Sequence, residues 1–175
     1  FGLPIARDMC QKVIVVASND LQSLYVANNV CSAAQYFQNL GGHVGVAGVE
    51  LFALEGGELL VNEVAPRPHN TGHFTIDACA SSQFDAHLRA VLDWPFGDTS
   101  LREPAAVMVN VLGEREGEAG CAGVQQALIE PRVWVHLYGK QGVRAKRKMG
   151  HVTAVGSDLD ETYARAERAA AHVKP

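Results

Sequence analysis

The 175-residue sequence has no excess of positive charge, no long apolar run and no paired cysteines. Its formal net charge of -4 at pH 7 gives no overall attraction for nucleic acid, so any anion site must be a local cluster. The absence of an apolar run of about 18 residues predicts that no segment spans a membrane. The cysteines have neither zinc-site spacing nor a disulfide framework; they are Cys10, Cys31, Cys79 and Cys121. Free thiols and the lack of a visible secretion leader predict a cytoplasmic protein.

The hydrophobic content of 47% is that of an ordinary globular protein with a substantial core. Periodicity and turn residues predict strands at 13–17, 43–54, 58–64, 105–112, 132–138 and 151–155, and an exposed loop at 113–123. They predict helices at 32–40, from 75 or 77 to about 92, and from a cap at Asp158 to about 172. Residues 19–31 fit either a helix or a strand with a loop. This order of elements favours an α+β or mixed α/β sheet layered with helices.

The strongest hairpin signal is the Gly-Gly pair at 56–57, which lies between two apolar runs and predicts a two-residue turn. In that register Glu50 lies opposite Glu63, and Phe52 lies opposite Val61. Apart from Asn62 and the two glutamates, both faces of the hairpin are apolar. We therefore expect it in the middle of a larger sheet, covered on both faces.

The two opposed glutamates predict a metal site. Opposed Cβ atoms lie roughly 4.5–5.5 Å apart, so the like charges of Glu50 and Glu63 repel unless a cation lies between them. Hard oxygen ligands suit Mg²⁺ or Mn²⁺, which also bind substrate phosphates, and this indicates a nucleotide enzyme. The alternative is a solvated pair at a sheet edge, although the apolar neighbours make an unpartnered pair costly. Asn62 joins the same ion only if the strand twists or bulges.

A loop stiffened by two prolines, residues 65–73, follows the second strand of the hairpin. A rigid loop fixes side-chain directions, as an anion or carbonyl site requires. The alternative is that its polar side chains cap their own backbone and the next helix, which we expect for His73 in particular. The polar side chains are Arg67, His69, Asn70 and His73.

A basic cluster near the C-terminus is framed by glycines at 139, 142 and 150. Such a backbone can bend around a phosphate monoester that arginine binds bidentately, whereas the alternative is a solvated basic face. Nucleic acid is disfavoured because no aromatic residues are interleaved. The cluster consists of Lys140, Arg144, Lys146, Arg147, Lys148 and His151. We interpret the other histidines as incidental, with His87 as a satisfied core residue; they are His43, His87, His136 and His172.

Three motifs carry a family resemblance. NEVAPRPHNTGHFT at 62–75, HLYGK at 136–140 and RKMGH at 147–151 resemble the N5-carboxyaminoimidazole ribonucleotide synthase family of ATP-grasp enzymes in purine biosynthesis. In fungi and plants the similar region is part of phosphoribosylaminoimidazole carboxylase. The resemblance extends from about residue 44 to residue 155. It implies the C-terminal half of an ATP-grasp domain at 1–100, with a mixed or antiparallel sheet and helices, and a small β-rich C-terminal domain at 101–175.

The resemblance also implies an activity. ATP phosphorylates bicarbonate to carboxyphosphate, which carboxylates 5-aminoimidazole ribonucleotide to N5-carboxyaminoimidazole ribonucleotide. Glu50 and Glu63 would hold Mg²⁺ or Mn²⁺, with Asn62 and Glu63 contacting ATP. The residues at the bicarbonate and imidazole end would be Arg67, His69 and Asn70, and those around the ribotide phosphate Lys140, Arg144, Arg147 and Lys148. The full-length enzyme would be a homodimer that binds neither nucleic acid nor membranes.

Two departures from the family pattern bear on these expectations. The family has Pro-Gly where this chain has Ala145-Lys146, which affects the shape of the phosphate loop. The N-terminal domain and the lid with its ATP-binding lysines have no counterpart in the sequence, so we expect a piece of a longer enzyme that binds metal and ribotide without turnover. The alternatives are a formate-dependent glycinamide ribonucleotide transformylase, which would not be expected to show HLYGK and RKMGH, and an inactive ribotide-binding module.

Overall fold

A computed structural model describes residues 13–15, 45–54 and 57–175, and it divides into two compact units. The first unit contains the described residues up to His73 together with Ser81–Asp98, and the second contains Phe74–Ala80 and Thr99–Pro175. The predicted helix at 32–40, the undecided stretch at 19–31, His43 and two of the cysteines lie outside the described residues. Among the helices that are described, none has the length and apolar composition needed to cross a membrane.

The described elements combine strands and helices, as predicted for an α+β chain. The strands are β1 (Val13–Val15), β2 (Gly45–Ala53), β3 (Leu59–Ala65), β4 (Ala105–Leu112), β5 (Gly117–Glu118), β6 (Val133–Leu137), β7 (Gly142–Val143) and β8 (Lys148–Gly156). The α-helices are α1 (Thr75–Ala78), α2 (Gln83–Val91), α3 (Val124–Ala127) and α4 (Leu159–His172), and a 3₁₀ helix spans Asn70–Gly72.

The first unit contains a mixed sheet in the order β1-β2-β3, with β1 parallel and β3 antiparallel to β2. The predicted pairing of Glu50 with Glu63 is confirmed. Beyond that pair a β-bulge shifts the register, so Phe52 lies opposite Leu60 and the predicted pairing with Val61 is wrong. The register shift leaves Asn62 as the extra residue of β3. A bulge places one additional residue on one strand and bends it locally.

The turn of the hairpin also differs from the prediction. The Leu54 amide donates to the Glu58 carbonyl at 2.9 Å, and the Gly57 amide donates to the Leu54 carbonyl at 2.8 Å. With Leu54 opposite Glu58, the connection has three positions rather than two. Gly57 has φ +81°, which is the left-handed conformation that a three-residue hairpin loop requires of a glycine.

The hairpin is not covered on both faces within the described part of the chain. Val61 is 65% exposed and Phe52 is 55% exposed. Among the described strands β3 pairs only with β2, which places it at the edge of the sheet. The prediction of a central hairpin is therefore wrong for this structure, because an apolar pattern on both faces does not show whether another element covers them.

The predicted helix from 75 to about 92 is two helices. Cys79 is extended, with φ −109° and ψ 158°, and it forms an isolated bridge with Leu101. The Ser82 hydroxyl then accepts from the Asp85 amide at 3.1 Å and caps α2. Serine at an N-cap competes with continued helix, which explains the break. The buried residues of α2 are Gln83 and Ala86.

The second unit has an antiparallel sheet in the order β4-β8-β6. The central strand β8 is longer than predicted, and His151 within it is 1% exposed, so that histidine belongs to the core rather than to the basic cluster. The helix α4 packs on the sheet through Ala166 and Ala169, and Asp158 caps it as predicted, accepting from the Glu161 amide at 2.8 Å. The predicted loop at 113–123 contains β5, which pairs with β7.

Candidate functional site

The two glutamates and one histidine of the first unit form a cluster that suits a divalent metal. Glu50, Glu63 and His69 each offer a ligand atom within 4.8 Å of the others. The His69 Nδ1 lies 3.2 Å from Glu50 Oε1, and its Nε2 lies 3.7 Å from Glu63 Oε1. The side chain of Glu50 is 26% exposed and that of Glu63 is 52% exposed, so the carboxylates are accessible from solvent. Oxygen ligands with a water-accessible side are the arrangement that Mg²⁺ or Mn²⁺ binds.

The bulge adds an amide to this cluster. Asn62 Nδ2 donates to Glu50 Oε2 at 3.0 Å. In an ideal strand Asn62 and Glu63 point to opposite faces, because the side-chain period is two residues. The irregular register between β2 and β3 removes this conflict. A bulge or twist was the condition under which we expected Asn62 to join the site.

The loop after β3 places its polar side chains differently. His69 reaches the carboxylates, whereas the Arg67 guanidinium is exposed and donates to the Pro68 carbonyl at 3.1 Å. Asn70 begins the 3₁₀ helix, and His73 follows its last residue. His73 stacks on Phe84 with a centroid distance of 5.6 Å and contacts Gln83. The helix α1 that follows has no side-chain cap, so the predicted capping of the next helix by His73 is wrong.

Two residues that fix His69 were missed by the sequence reasoning. A Cβ on Gly48 would lie 2.6 Å from the His69 Cβ, so β2 must carry glycine where the loop approaches it. The buried Gln83 side chain hydrogen-bonds both backbone groups of His69. A glycine inside a strand is a sequence signal of close approach. A single glutamine in a helix gives no comparable signal.

The basic cluster of the second unit is a turn held by backbone hydrogen bonds. The Lys146 amide donates to the Gly113 carbonyl, and the Gly113 amide donates to the Arg147 carbonyl, both at 2.8 Å. Lys146, at the position where the family pattern has glycine, has φ +64°. The chain therefore keeps a left-handed residue there despite its side chain.

The side chains of this turn are only partly brought together. The Arg147 guanidinium donates to the Gly142 carbonyl at 2.8 Å, and the Lys140 ammonium donates to the Lys148 carbonyl. Burial lowers the pKa of Lys140, and the charges of Arg147 and Lys148 lower that pKa further. The Arg144 side chain is exposed. A bound dianion would relieve this repulsion between like charges.

A second histidine cluster lies in the second unit, where the sequence predicted none. His136 Nε2 lies 2.8 Å from Asp77 Oδ2, and the His136 ring stacks on His151 with a centroid distance of 4.5 Å and an interplanar angle of 18°. The Tyr138 hydroxyl lies 2.9 Å from His151 Nδ1. Ring-nitrogen lone pairs lie in the ring plane, so nearly parallel rings do not direct them at one ion. The cluster is therefore a stacked and hydrogen-bonded unit rather than a metal centre.

Two family models match the chain. The model described as ATP-grasp domain matches residues 6–84. The model described as phosphoribosylaminoimidazole carboxylase C-terminal domain matches residues 106–165.

Relatives of the chain include enzymes and solved structures. The chloroplastic phosphoribosylaminoimidazole carboxylase of Vigna aconitifolia is 53% identical over 119 residues, which cover 66% of this chain and 21% of the relative. The N5-carboxyaminoimidazole ribonucleotide synthetase structure of Thermotoga maritima is 42% identical, with a TM-score of 0.80 over 90% of this chain and 43% of that one. The Aspergillus clavatus synthase, solved with ADP and 5-aminoimidazole ribonucleotide, is 34% identical, with a TM-score of 0.72 over 87% and 40%. The chain thus has the predicted ATP-grasp fold and spans less than half the length of these relatives.

Proposed function

This chain belongs to the ATP-grasp family of N5-carboxyaminoimidazole ribonucleotide synthases, and we propose that it carries metal-binding and ribotide-binding residues for the ATP- and bicarbonate-dependent carboxylation of 5-aminoimidazole ribonucleotide. The observation that carries the proposal is the convergence of Glu50, Glu63 and His69 within 4.8 Å. A ligase that works through carboxyphosphate must neutralise transferred phosphate, and a metal between two carboxylates serves that purpose.

In the proposed site Glu50 and Glu63 hold Mg²⁺ or Mn²⁺. The ion, when bound, neutralises charge on the ATP phosphates and aligns them for transfer. Asn62 orients the Glu50 carboxylate through its 3.0 Å hydrogen bond, and together with Glu63 it contacts the nucleotide. ATP is thus the nucleotide that this half of the site serves, in agreement with the ADP in the Aspergillus clavatus relative.

The loop after β3 supplies the proposed catalytic residues, Arg67, His69 and Asn70. The Arg67 guanidinium is exposed and offers bidentate donors to an anion such as bicarbonate. His69 has its ring nitrogens beside both carboxylates, so it can form a hydrogen bond near the reacting oxygens. Asn70, at the start of the 3₁₀ helix, offers both an amide donor and an acceptor to the imidazole of the ribotide.

The basic turn of the second unit is the proposed phosphate subsite. Its members are Lys140, Arg144, Arg147 and Lys148. The lowered pKa of Lys140 supports this role, because like charges held together and partly buried without an anion are costly. The left-handed Lys146 supports it too, since the backbone adopts the bend that the family achieves with glycine.

We extend the proposal to the organisation of the protein. Residues 1–100 form the C-terminal half of an ATP-grasp domain, and residues 101–175 form a separate small domain. This division is supported by the second unit, whose longer segment begins at Thr99. The complete enzyme is a cytoplasmic homodimer. Because the chain spans less than half of its relatives, turnover requires the remainder of the fold.

Calorimetric titration of the chain tests the substrate. With Mn²⁺ present, 5-aminoimidazole ribonucleotide should bind at least about tenfold more tightly than glycinamide ribonucleotide, because both share the phosphate and only the first matches the polar groups of the loop. Equal or reversed affinities would favour the formate-dependent transformylase.

Turnover can be tested in a chimera that joins this chain to the part of the Thermotoga maritima synthetase that it does not cover. ATP hydrolysis should depend on 5-aminoimidazole ribonucleotide and bicarbonate. Hydrolysis only with glycinamide ribonucleotide and formate would overturn the proposal. Ribotide binding in a folded chimera without hydrolysis would leave the chain a ribotide-binding module.

A further inference from the structure

The side chain of Gln83, at the start of α2, is buried, and the residue is 5% exposed. Its Oε1 accepts from the His69 amide at 2.9 Å, and its Nε2 donates to the His69 carbonyl at 2.8 Å. The same Nε2 lies 2.7 Å from His73 Nδ1. These contacts use both amide donors of the carboxamide and one of the two acceptor sites on its oxygen.

The backbone of His69 explains why one carboxamide can bind it twice. His69 is extended, with φ −127° and ψ 158°. In extended backbone the N–H and C=O of one residue point to the same side, as in a hydrogen-bonded pair of antiparallel strands. The Gln83 carboxamide therefore occupies the place of a neighbouring strand. The reverse amide orientation would set oxygen against oxygen at the His69 carbonyl, so the network fixes the orientation.

Two glycines allow the chain to pack closely against Gln83 and His69. A Cβ on Gly72 would lie 2.5 Å from Gln83 Oε1, and a Cβ on Gly48 would lie 2.6 Å from the His69 Cβ. His69 is thus held by Gln83 through its backbone and by β2 against its side chain. Both constraints bear on the one residue whose ring reaches Glu50 and Glu63.

We propose that Gln83 is a positioning residue that sets the His69 imidazole beside the Glu50–Glu63 pair, an inference that rests on the proposed role of His69 at the reacting end. The carboxylates are held by β2 and β3 and do not depend on Gln83. Loss of Gln83 should therefore displace His69 and leave metal binding by the two glutamates in place. A misplacement of about 1 Å at a reacting centre is enough to reduce turnover roughly a hundredfold.

The test uses Gln83→Met, which keeps the length of the side chain and removes its hydrogen bonds, with Gln125→Met as a control at an exposed glutamine. Amide hydrogen exchange by NMR, without metal, should show the His69 amide exchanging at least about tenfold faster in Gln83→Met, relative to amides of β8. The control should match the wild-type chain. Equal protection of the His69 amide in Gln83→Met and in the wild-type chain would overturn the proposal, whether or not the metal site exists.

Paramagnetic broadening of the His69 ring signals by Mn²⁺ separates positioning from a purely structural role. A purely structural role would leave this broadening unchanged. In the wild-type chain Mn²⁺ should broaden the His69 ring signals strongly. In Gln83→Met this broadening should fall while the Mn²⁺ dissociation constant changes less than about threefold, against the 10–100-fold expected for a residue that orients a ligand directly. Unchanged broadening would overturn the positioning role, whereas no Mn²⁺ binding to the wild type would instead overturn the proposed metal site.

If Gln83→Met does not fold, Gln83→Glu provides the same test. It keeps the acceptor for the His69 amide and sets an acceptor against the His69 carbonyl and the His73 ring. The His69 carbonyl then loses the Gln83 donor. The Gly72 amide, which donates to the same carbonyl at 3.0 Å, should exchange faster, and Mn²⁺ broadening of the His69 ring should be weaker. Wild-type values for both would overturn the proposal.

Discussion

Replacing Glu63 by glutamine should change the stability of the chain in opposite directions with and without metal. The carboxylates of Glu50 and Glu63 lie within 4.8 Å of each other. At that separation two unit charges repel by about 1 kcal/mol in water and about 3.5 kcal/mol at an effective dielectric constant of 20. Because the Glu63 side chain is 52% exposed, the lower value applies. In EDTA, Glu63→Gln should therefore be as stable as the wild type or more stable by up to about 1 kcal/mol.

Mn²⁺ should reverse this order. An ion at one hundred times its dissociation constant stabilises the folded wild type by about 2.7 kcal/mol, and a variant that lacks one of two carboxylate ligands loses most of that gain. For a chain of this size, 1 kcal/mol corresponds to roughly 2–4 °C in Tm. Thermal unfolding in EDTA and over a Mn²⁺ series gives both quantities from the same samples.

The matched control is Glu58→Gln, because Glu58 is an exposed glutamate on the same hairpin and lies outside the cluster. Its effects should stay within about 0.5 kcal/mol in both conditions. An equal Mn²⁺-dependent gain in Tm for Glu63→Gln and the wild type would refute the metal assignment. A clear loss of stability in EDTA would instead show that Glu63 is a structural residue.

Three further predictions concern the proposed ribotide site. Arg147→Ala should weaken binding of 5-aminoimidazole ribonucleotide by about 1.5–3 kcal/mol, the value of a charged hydrogen bond, whereas Arg67→Ala should change calorimetric affinity little and lower turnover of the chimera. Since the Lys140 pKa is lowered, its ammonium loses its proton at a lower pH than an ordinary lysine. Ribotide affinity should fall as pH rises through that pKa, and Lys140→Arg, which stays charged, should not show the fall. Lys146→Gly should raise the free energy of unfolding by about 0.5–1 kcal/mol in urea titrations, because φ +64° suits glycine, and Lys146→Ala should give no such gain.

Much of the fold was predictable from local signals. The strand β4 was predicted with its observed bounds, and Asp158 was identified as the cap of α4. Both features depend on residues that are close together in the sequence. The division of the predicted helix at 75–92 was not recognised. Its apolar spacing continues across the break, whereas the bridge from Cys79 to Leu101 is a tertiary contact that no local pattern encodes. The burial of His151 depends in the same way on β8 lying between β4 and β6.

The candidate site also contains residues that local sequence signals predicted and one that they did not. The pairing of Glu50 with Glu63 was predicted from a two-residue turn, but in the structure it results from two offsetting departures from that register. The three-residue connection shifts the pairing by one residue, and the bulge at Asn62 shifts it back. Gln83 was not predicted, because it approaches His69 from a helix that begins fourteen residues later in the chain. Polar residues on a helix usually mark the face that is exposed to solvent, but Gln83 is buried. It can be buried because its polar atoms form hydrogen bonds with the backbone of the loop.

The bulge at Asn62 shows how function can be read from a strand that lacks alternation. In a half-buried strand a one-residue slip moves every side chain to the other face, so the apolar pattern fixes the register. Here both faces are apolar and that constraint is absent. The consecutive polar residues Asn62 and Glu63 supply another constraint on the register. The Asn62 side-chain amide donates a hydrogen bond to Glu50, and Glu63 lies opposite Glu50. Two adjacent side chains reach one site only if the strand is irregular between them. An Asn-Glu pair in an apolar strand opposite a third polar residue therefore predicts a bulge, together with the site that the bulge serves.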